Sequence, residues 1–370
     1  MKNKIVEVPR MKTLIKEAPG FAKKELAPYK LDILAKCGFG CRYCSSNTGN
    51  YLRIHGKEFA ACAEEQFGKV IKPKDDPSLM LVWPDVVGQL EIELKGKPKE
   101  YGAGETLMFS MLTDGFSPYL INEGITRAVL ELVVKRTSFR IRILTKNAIV
   151  GSDEWIQFFG EHKERFVVGL STGSLNDDWS RKMELGTSSP SERFKALHRL
   201  QAAGIPTFGM LYPVFPDMLD NGAIETMIDM INPGKVEHIW AEPYNDRVNW
   251  RVVQSSFSPE SSAFKWFTKV YEQKRSELWS MYATDLYLRL KGKAVEEGWI
   301  SKLRYLLYEN NITAYDAQKY SDMEGVLLQN KPGAESLSKH SMFSEMQTLV
   351  QNVKASSIRE LYAIEALAVN

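Results

Sequence analysis

The feature that most limits the fold is an alternation of short apolar runs with segments of helical periodicity, over residues 106–240. A short, almost wholly apolar run is typical of a strand whose two faces are both covered, and apolar residues three and four positions apart are typical of a helix. The pattern predicts strands at 106–112, 139–144, 166–170, 205–212 and 238–240, and helices at 124–135, 153–161, 189–204 and 222–231. Repeated strand–helix units predict an α/β fold whose parallel sheet is closed or partly closed into a barrel.

The most sharply bounded of these helices begins at residues 189–192, whose sequence is SPSE. Ser189 followed by Glu192 forms a capping box, and proline suits the first helical position between them. Gly204 predicts the end of the helix, because glycine adopts the left-handed conformation at little cost. The chain therefore has one helix with both ends fixed by sequence.

The segments on either side of the alternating region differ from it in charge and periodicity. Residues 1–30 hold eight Lys or Arg against three Glu, so residues 1–29 are interpreted as a basic N-terminal arm, either solvated or lying on phosphate or an acidic partner. Residues 30–250 form the predicted core domain, with a first strand at 30–34, and residues 251–370 a mostly helical C-terminal extension. Helices are predicted at 263–290, 299–308 and 343–366, and a loop at 321–339.

Four cysteines are present, and three of them, Cys37, Cys41 and Cys44, lie within eight residues. Disulfide-forming cysteines are spread along a chain, so this clustering favours reduced thiols that bind metal in a cytoplasmic protein. Three thiolates at this spacing could hold three irons of a [4Fe-4S] cluster and leave the fourth iron open. Cys62 could instead complete a four-thiolate zinc site, or be a small apolar residue of a helix.

A resemblance to a known family is carried by residues 37–44, CGFGCRYC. They resemble the C-x3-C-x2-C signature of the radical S-adenosylmethionine (SAM) superfamily, which has an aromatic residue before its last cysteine. The resemblance implies a partial parallel (β/α)6 barrel, a [4Fe-4S] cluster on the three cysteines and SAM on its open iron. It also implies that an external flavodoxin- or ferredoxin-type reductant supplies one electron, which cleaves SAM to methionine and a 5′-deoxyadenosyl radical that abstracts hydrogen from a substrate.

Within the superfamily the chain is most similar to the spore photoproduct lyase-like branch, over residues 31–245. Further motifs follow in that branch's order, at 111–118 (MLTDGFSP), 143–146 (ILTK), 169–172 (GLST) and 183–193. The resemblance implies that Thr113 and Asp114 lie near the SAM amino group and that Lys146 and Ser171 hold its carboxylate. Both Lys146 and Ser171 stand at the carboxyl ends of predicted parallel strands, where such barrels place their ligands.

Other implied cofactor contacts are Tyr43 and Arg193. The Arg193 guanidinium could fork onto a carboxylate of the cofactor, or pair with Glu184 or Glu192 on a helix surface. Thr113 and Asp114 likewise have an alternative, which is to cap the helix that follows them.

Two departures separate this chain from the lyase that repairs thymine dimers. Met111 stands where the lyase has its hydrogen-donating cysteine, and a thioether cannot donate hydrogen as a thiol does. Ser45 follows the third cysteine, where the lyase has a tyrosine. We therefore do not expect photoproduct repair.

Three function classes remain. The first is a radical SAM enzyme that modifies a nucleobase or nucleic acid, which the branch, the basic arm and an aromatic-rich C-terminal region favour. The second is a radical SAM enzyme acting on a small molecule or peptide, since a fold does not fix a substrate. The third is a non-enzymatic zinc-binding module with four cysteine ligands. No apolar run reaches the roughly 20 residues that cross a bilayer, so no membrane partner is expected.

Overall fold

The computed structural model describes residues 4–9, 13–45, 50–73, 75–110, 112–246 and 248–329. The predicted helix at 343–366 and the position of Met111 lie outside these ranges. The described strands are β1 Ile5–Glu7, β2 Ile15–Glu17, β3 Tyr29–Leu31, β4 Leu34–Lys36, β5 Met80–Val82, β6 Thr106–Phe109, β7 Arg140–Thr145, β8 Phe166–Ser171, β9 Thr207–Val214, β10 Val236–Pro243, β11 Leu303–Tyr308 and β12 Val326–Gln329. The described α-helices are α1 Pro19–Ala22, α2 Asn50–Phe67, α3 Val86–Lys95, α4 Pro118–Asn122, α5 Ile125–Arg136, α6 Asp153–Glu161, α7 Asp177–Met183, α8 Pro190–Ala202, α9 Ala223–Ile231, α10 Trp250–Gln254, α11 Ser262–Phe267, α12 Ser276–Glu296 and α13 Ala314–Ala317.

The main sheet has the strand order β12-β11-β10-β9-β8-β7-β6-β3-β2. Its strands pair in parallel except for β2, which is antiparallel to β3. Strands β3 and β6–β10 are thus neighbours in the order expected of a partial (β/α)6 barrel, and the predicted α/β fold class is confirmed. A second, smaller sheet has the strand order β1-β5-β4.

Helices cover one face of the main sheet. Ile141 and Ile143 of β7 and Phe166 of β8 are fully buried in one apolar core with Val129 of α5 and Phe158 of α6. The predicted capping box is present, since the Glu192 amide donates to Ser189 Oγ (3.4 Å) and the Ser189 amide donates to the Glu192 carboxylate (2.7 Å). The predicted strand–helix alternation is therefore confirmed, with element ends displaced by a few residues.

The N-terminal segment covers the opposite face of the sheet. Leu26 and Ala27 are buried in a second apolar cluster with side chains of the sheet strands, such as Met108 and Phe208. Trp240 Nε1 donates to the carbonyl of Lys24 (2.7 Å). Residues 18–28 are therefore packed against the sheet, and the interpretation of a wholly solvated arm is wrong for this part of it.

Charged contacts anchor the same segment. Arg142 of β7, which is buried, donates to the carbonyls of Glu25 (3.2 Å) and Leu26. The Glu25 carboxylate pairs with Arg304 of β11 (2.5 Å). The sheet and the segment are thus joined at two strands that are far apart in the chain.

The C-terminal region departs from its prediction. The helix predicted at 299–308 is wrong, because residues 303–308 form strand β11, whose side chains are covered on both faces. The helix predicted at 263–290 is interrupted by a π-helical turn at Thr268–Glu272, after which Lys274 adopts a φ of 58°. The aromatic side chains of Trp279, Tyr282 and Tyr308 are buried in a third apolar core and are not free to stack on bases. In the described ranges no helix is both long and apolar enough to cross a bilayer.

The first predicted strand is also divided. The chain leaves the main sheet after Leu31 and enters the smaller sheet at Leu34. Asp32 lies at the change of sheet, and its carboxylate pairs with Lys30 (3.0 Å). The segment that contains the three clustered cysteines, residues 37–44 (the cysteine segment), therefore follows β4 of the smaller sheet and not β3.

Asp217, in a short 3-10 turn at Pro216–Leu219, has a carboxyl oxygen, Oδ1, that is buried and has no hydrogen-bond partner among the described residues. Burial raises the pKa of Asp217 to about 7. Because this value lies above the unfolded value of about 4, the folded chain binds more protons between the two, and the free energy of unfolding should fall as the pH rises from about 4 to about 7. We expect Asp217→Asn to remove this fall and to raise the free energy of unfolding at pH 8 by up to about 4 kcal/mol, since one pKa unit corresponds to about 1.4 kcal/mol.

Urea unfolding at pH 5 and pH 8 would measure this effect. Asp178→Asn, at an exposed carboxylate on α7, is the matched control and should keep the pH dependence of the unsubstituted chain. A pH dependence that Asp217→Asn leaves unchanged would contradict the assignment.

Candidate active site

One open cavity lies where strands of the main sheet end beside the cysteine segment. Its volume is about 190 Å³. The predicted site residues Cys37, Cys41, Tyr43, Cys44, Thr113, Asp114, Lys146 and Ser171 all line it. Arg193 is not among the described residues that do so.

The cysteine segment is held by its own backbone and by a buried lysine. Lys36 is 2% exposed, and its ammonium donates to the carbonyls of Cys37 (3.2 Å), Pro77 (2.7 Å) and Leu79 (2.9 Å). Gly40 has a φ of +67°, which a residue without Cβ adopts at no steric cost. Lys36 was not predicted as part of the site, although a lysine in an apolar strand is a signal that could have indicated it.

The three thiols face the same cavity. Burial raises the pKa of Cys37 to about 11, with a further contribution from Cys44 and Asp114, and burial with the nearby Glu184 raises the pKa of Cys41 well above its usual value. Bound iron would offset this by stabilising the thiolates. In the described part of the chain, no three His, Cys, Asp or Glu side chains converge on a point where one metal ion could bind. In a cluster each thiolate binds a different iron, so the thiols need only face a common volume.

Asp114 links the end of β6 to the end of β7. Its carboxylate accepts hydrogen bonds from Thr145 Oγ1 (2.8 Å), the Lys146 amide (2.8 Å) and the Phe116 amide (2.9 Å). Burial raises the pKa of Asp114, and these hydrogen bonds oppose that shift. Beside it, Thr113 Oγ1 is buried and has no hydrogen-bond partner within the described residues. Asp114 therefore shapes the wall, and Thr113 leaves a hydroxyl for a ligand.

Lys146 and Ser171 are adjacent on neighbouring strands. The Lys146 ammonium donates to Ser171 Oγ (2.9 Å), which donates to the carbonyl of Tyr212 (3.0 Å). The Lys146 side chain is 14% exposed. Lys146 and Ser171 thus line the cavity together.

Arg193 is buried beneath the cavity wall. It is 1% exposed, and its guanidinium contacts the carboxylate of Glu184, the carbonyl of Ser171 (2.9 Å) and Thr187 Oγ1 (2.7 Å). The predicted alternative of a pair with Glu184 is present, but it lies in the interior and not on a helix surface. Through these contacts the guanidinium holds the end of β8 and the loop before α8 in place.

The cavity is also lined by polar residues that were not predicted as site residues. Lys24 of the N-terminal segment lies 3.7 Å from the buried carboxylate of Glu242 near the end of β10. Asn245, two residues after β10, has a buried Nδ2 with no hydrogen-bond partner among the described residues. Phe21 and Tyr212 line the same cavity. Only the positions of Glu242 and Asn245 at a strand end could have indicated them.

Cys62 lies elsewhere, in helix α2, and packs against the first apolar core. Among the described residues, it is not one of those that line the cavity. Its place agrees with the interpretation of a small apolar helix residue.

The residues present fit both groups that the resemblance implies. Three thiols on one wall suit an iron–sulfur cluster, and the unpartnered hydroxyl of Thr113 with the ammonium of Lys146 suits the amino and carboxylate groups of SAM. The Lys146 ammonium is paired with the carboxylate of Glu184 at 3.3 Å.

Comparison with known proteins gives three results. No protein-family model matches the chain. An uncharacterised protein of Methanocaldococcus jannaschii is 24% identical over 194 residues, which are 52% of this chain and 63% of that protein. The chain thus spans less than two thirds of this relative.

Solved structures similar to the chain include a spore photoproduct lyase mutant with bound AdoMet and dinucleoside spore photoproduct, at a TM-score of 0.42 and 15% identity over 70% of this chain and 66% of that one. They also include anSMEcpe with bound AdoMet, at a TM-score of 0.42 and 12% identity over 73% of this chain and 59% of that one.

Proposed function

We propose that the chain is a radical SAM enzyme. The observation that carries the proposal is that three cysteines of one loop and polar residues following separate strands line one cavity. Cys37, Cys41 and Cys44 would hold a [4Fe-4S] cluster. Lys146 and Ser171 would hold the SAM carboxylate.

Around Lys146 and Ser171, other residues of the cavity would orient the ligand and limit the access of water to it. The hydroxyl of Thr113, next to Asp114, would accept a hydrogen bond from the SAM amino group. The Tyr43 ring would pack beside the bound SAM. When bound, the cluster and SAM supply the reductive cleavage that generates a 5′-deoxyadenosyl radical. Phe39 and Leu144, which also line the cavity, exclude water from such a reactive species.

Among substrate classes, we infer a nucleobase or nucleic acid. The cavity lining combines aromatic residues, Phe21 and Tyr212, with a carboxylate acceptor, Glu242, and an amide donor, Asn245. A planar base has both a face for stacking and an edge with donors and acceptors. A small molecule or peptide would be the alternative substrate class of the same chemistry.

The proposal is tested by reconstituting the chain with iron and sulfide under anaerobic conditions, then adding dithionite and SAM. We expect a brown protein with about four irons per chain, which forms 5′-deoxyadenosine and methionine. A chain that binds one zinc through four thiolates, and no iron, would overturn the proposal.

The substrate class is tested separately by binding of a single-stranded oligonucleotide at increasing salt. Contacts to phosphates predict an affinity that falls linearly with salt on a logarithmic scale. An affinity that is undetectable even at low salt would contradict a nucleic-acid substrate and leave free nucleobases and nucleosides to be assayed as substrates.

A further inference from the structure

The carboxylate of Glu184 connects the cysteine segment to Lys146. Glu184 follows α7 and is 3% exposed. One carboxylate oxygen accepts a hydrogen bond from the Tyr43 hydroxyl and lies 3.3 Å from the Lys146 ammonium. The other pairs with Arg193 and accepts from Ser180 Oγ (2.8 Å).

The backbone around Glu184 also holds the cysteine segment. Cys41 and Glu184 form an antiparallel β-bridge. The Arg42 amide donates to the carbonyl of Met183 (2.9 Å), and the Gly186 amide donates to the carbonyl of Phe39 (2.8 Å). The same short stretch therefore fixes the cysteine segment through both its backbone and its side chain.

Glu184 is the anion between two cations, Arg193 and Lys146. Although burial disfavours the charged form, these two cations lower the pKa of Glu184 to about 2. Without Glu184, the two buried like charges would lose the anion that lies between them.

We propose that Glu184 is a positioning residue that fixes the distance and orientation between the cysteine segment and Lys146, so that one ligand can bind at both. This inference rests on the proposed function, in which SAM is held at the cluster and at Lys146 together. A ligand that binds at two points loses affinity when the points move relative to each other, because the binding site is no longer preorganised.

Two variants separate position from charge. Glu184→Gln keeps the length of the side chain and removes its charge, and Glu184→Asp keeps the charge but shortens its reach by one methylene. If Glu184 only balanced charge, Glu184→Asp would bind SAM as the unsubstituted chain does. A positioning role predicts that both variants need at least about ten-fold more SAM to change the electron paramagnetic resonance spectrum of the reduced cluster, with iron content preserved. Glu154→Gln, at an exposed site in α6, is the control.

A second readout needs neither cluster nor SAM. In the metal-free chain we expect Glu184→Asp, which keeps the charge beside Cys41, to raise the alkylation rate of Cys41 by about five-fold or more, because local opening exposes a thiol that is otherwise held in place. Cys62 is the internal control, since it lies in α2 and its rate should not change.

The outcomes distinguish the inference from the proposed function. If the unsubstituted chain binds a cluster but shows no change with SAM, the proposed function fails and the alkylation rates still decide whether Glu184 holds the cysteine segment. If SAM changes the spectrum equally in the unsubstituted chain and in folded, iron-loaded Glu184→Asp, the positioning role is overturned. If Glu184→Gln does not fold, Glu184→Asp alone decides.

Discussion

Replacing Cys41 by serine should reduce bound iron from about four atoms per chain to well under one after anaerobic reconstitution. Cys41 lines the cavity with Cys37 and Cys44, and a hydroxyl is a much poorer ligand for iron than a thiolate. Two cysteines cannot hold the three irons that the proposed cluster presents to the protein. Iron and sulfide assays with the visible absorption spectrum would measure the loss.

The matched control is Cys62→Ser, because Cys62 lies in α2 and packs against the apolar core. We expect this variant to retain the iron and the absorption of the unsubstituted chain. A four-thiolate zinc module predicts a different pattern, in which both Cys41→Ser and Cys62→Ser remove the metal. Equal loss in the two variants would therefore refute the assignment of the cluster ligands.

Replacing Lys146 by methionine should weaken SAM binding by about 100-fold, which corresponds to roughly 3 kcal/mol. Methionine has nearly the same length but no charge, so the substitution removes the ammonium that would pair with the SAM carboxylate. The lost pair lies in a largely buried site, where truncating one partner costs 2–5 kcal/mol. Glu184 would keep Arg193 as its partner, so we expect the fold and the cluster to persist.

Equilibrium dialysis of radiolabelled SAM against the reconstituted protein would give the affinity. Lys182→Met, at an exposed lysine of α7, controls for the loss of one positive charge and should bind SAM normally. Unchanged affinity in Lys146→Met would show that the carboxylate binds elsewhere.

The sequence predicted the central part of the fold because its local signals agree with one another. The helix α8 has a capping serine, a proline at its first position and a glycine just beyond its end, and the strand β8 is almost wholly apolar. Such features depend on neighbouring residues, and tertiary contacts do not reverse them here. Strand β11 was mistaken for a helix because the short apolar run at 303–308 has no flanking glycine or proline that would distinguish the two.

For the site, residues in motifs were predictable and residues that act through packing were not. The structure brings Cys37, Cys41, Cys44, Lys146 and Ser171 to one cavity, and their binding roles remain predictions. Glu184 and Lys36 were not predicted as parts of the site, because their importance depends on which distant groups surround them. The sequence neighbours of Glu184 contain no information on those contacts, and for Lys36 the only signal is a lysine in an apolar strand.

The contacts of the N-terminal segment have a consequence for how the chain folds. The Lys24 carbonyl binds Trp240, and the Glu25 carboxylate binds Arg304, over 216 and 279 residues of sequence. A protein is synthesised from its amino end, so residues 24 and 25 leave the ribosome before Trp240 and Arg304 and cannot form these contacts until both have been synthesised. Contacts of such long range slow folding. Phe21 and Lys24 line the cavity, and this part of its wall therefore forms only after Trp240 and Arg304 have been synthesised.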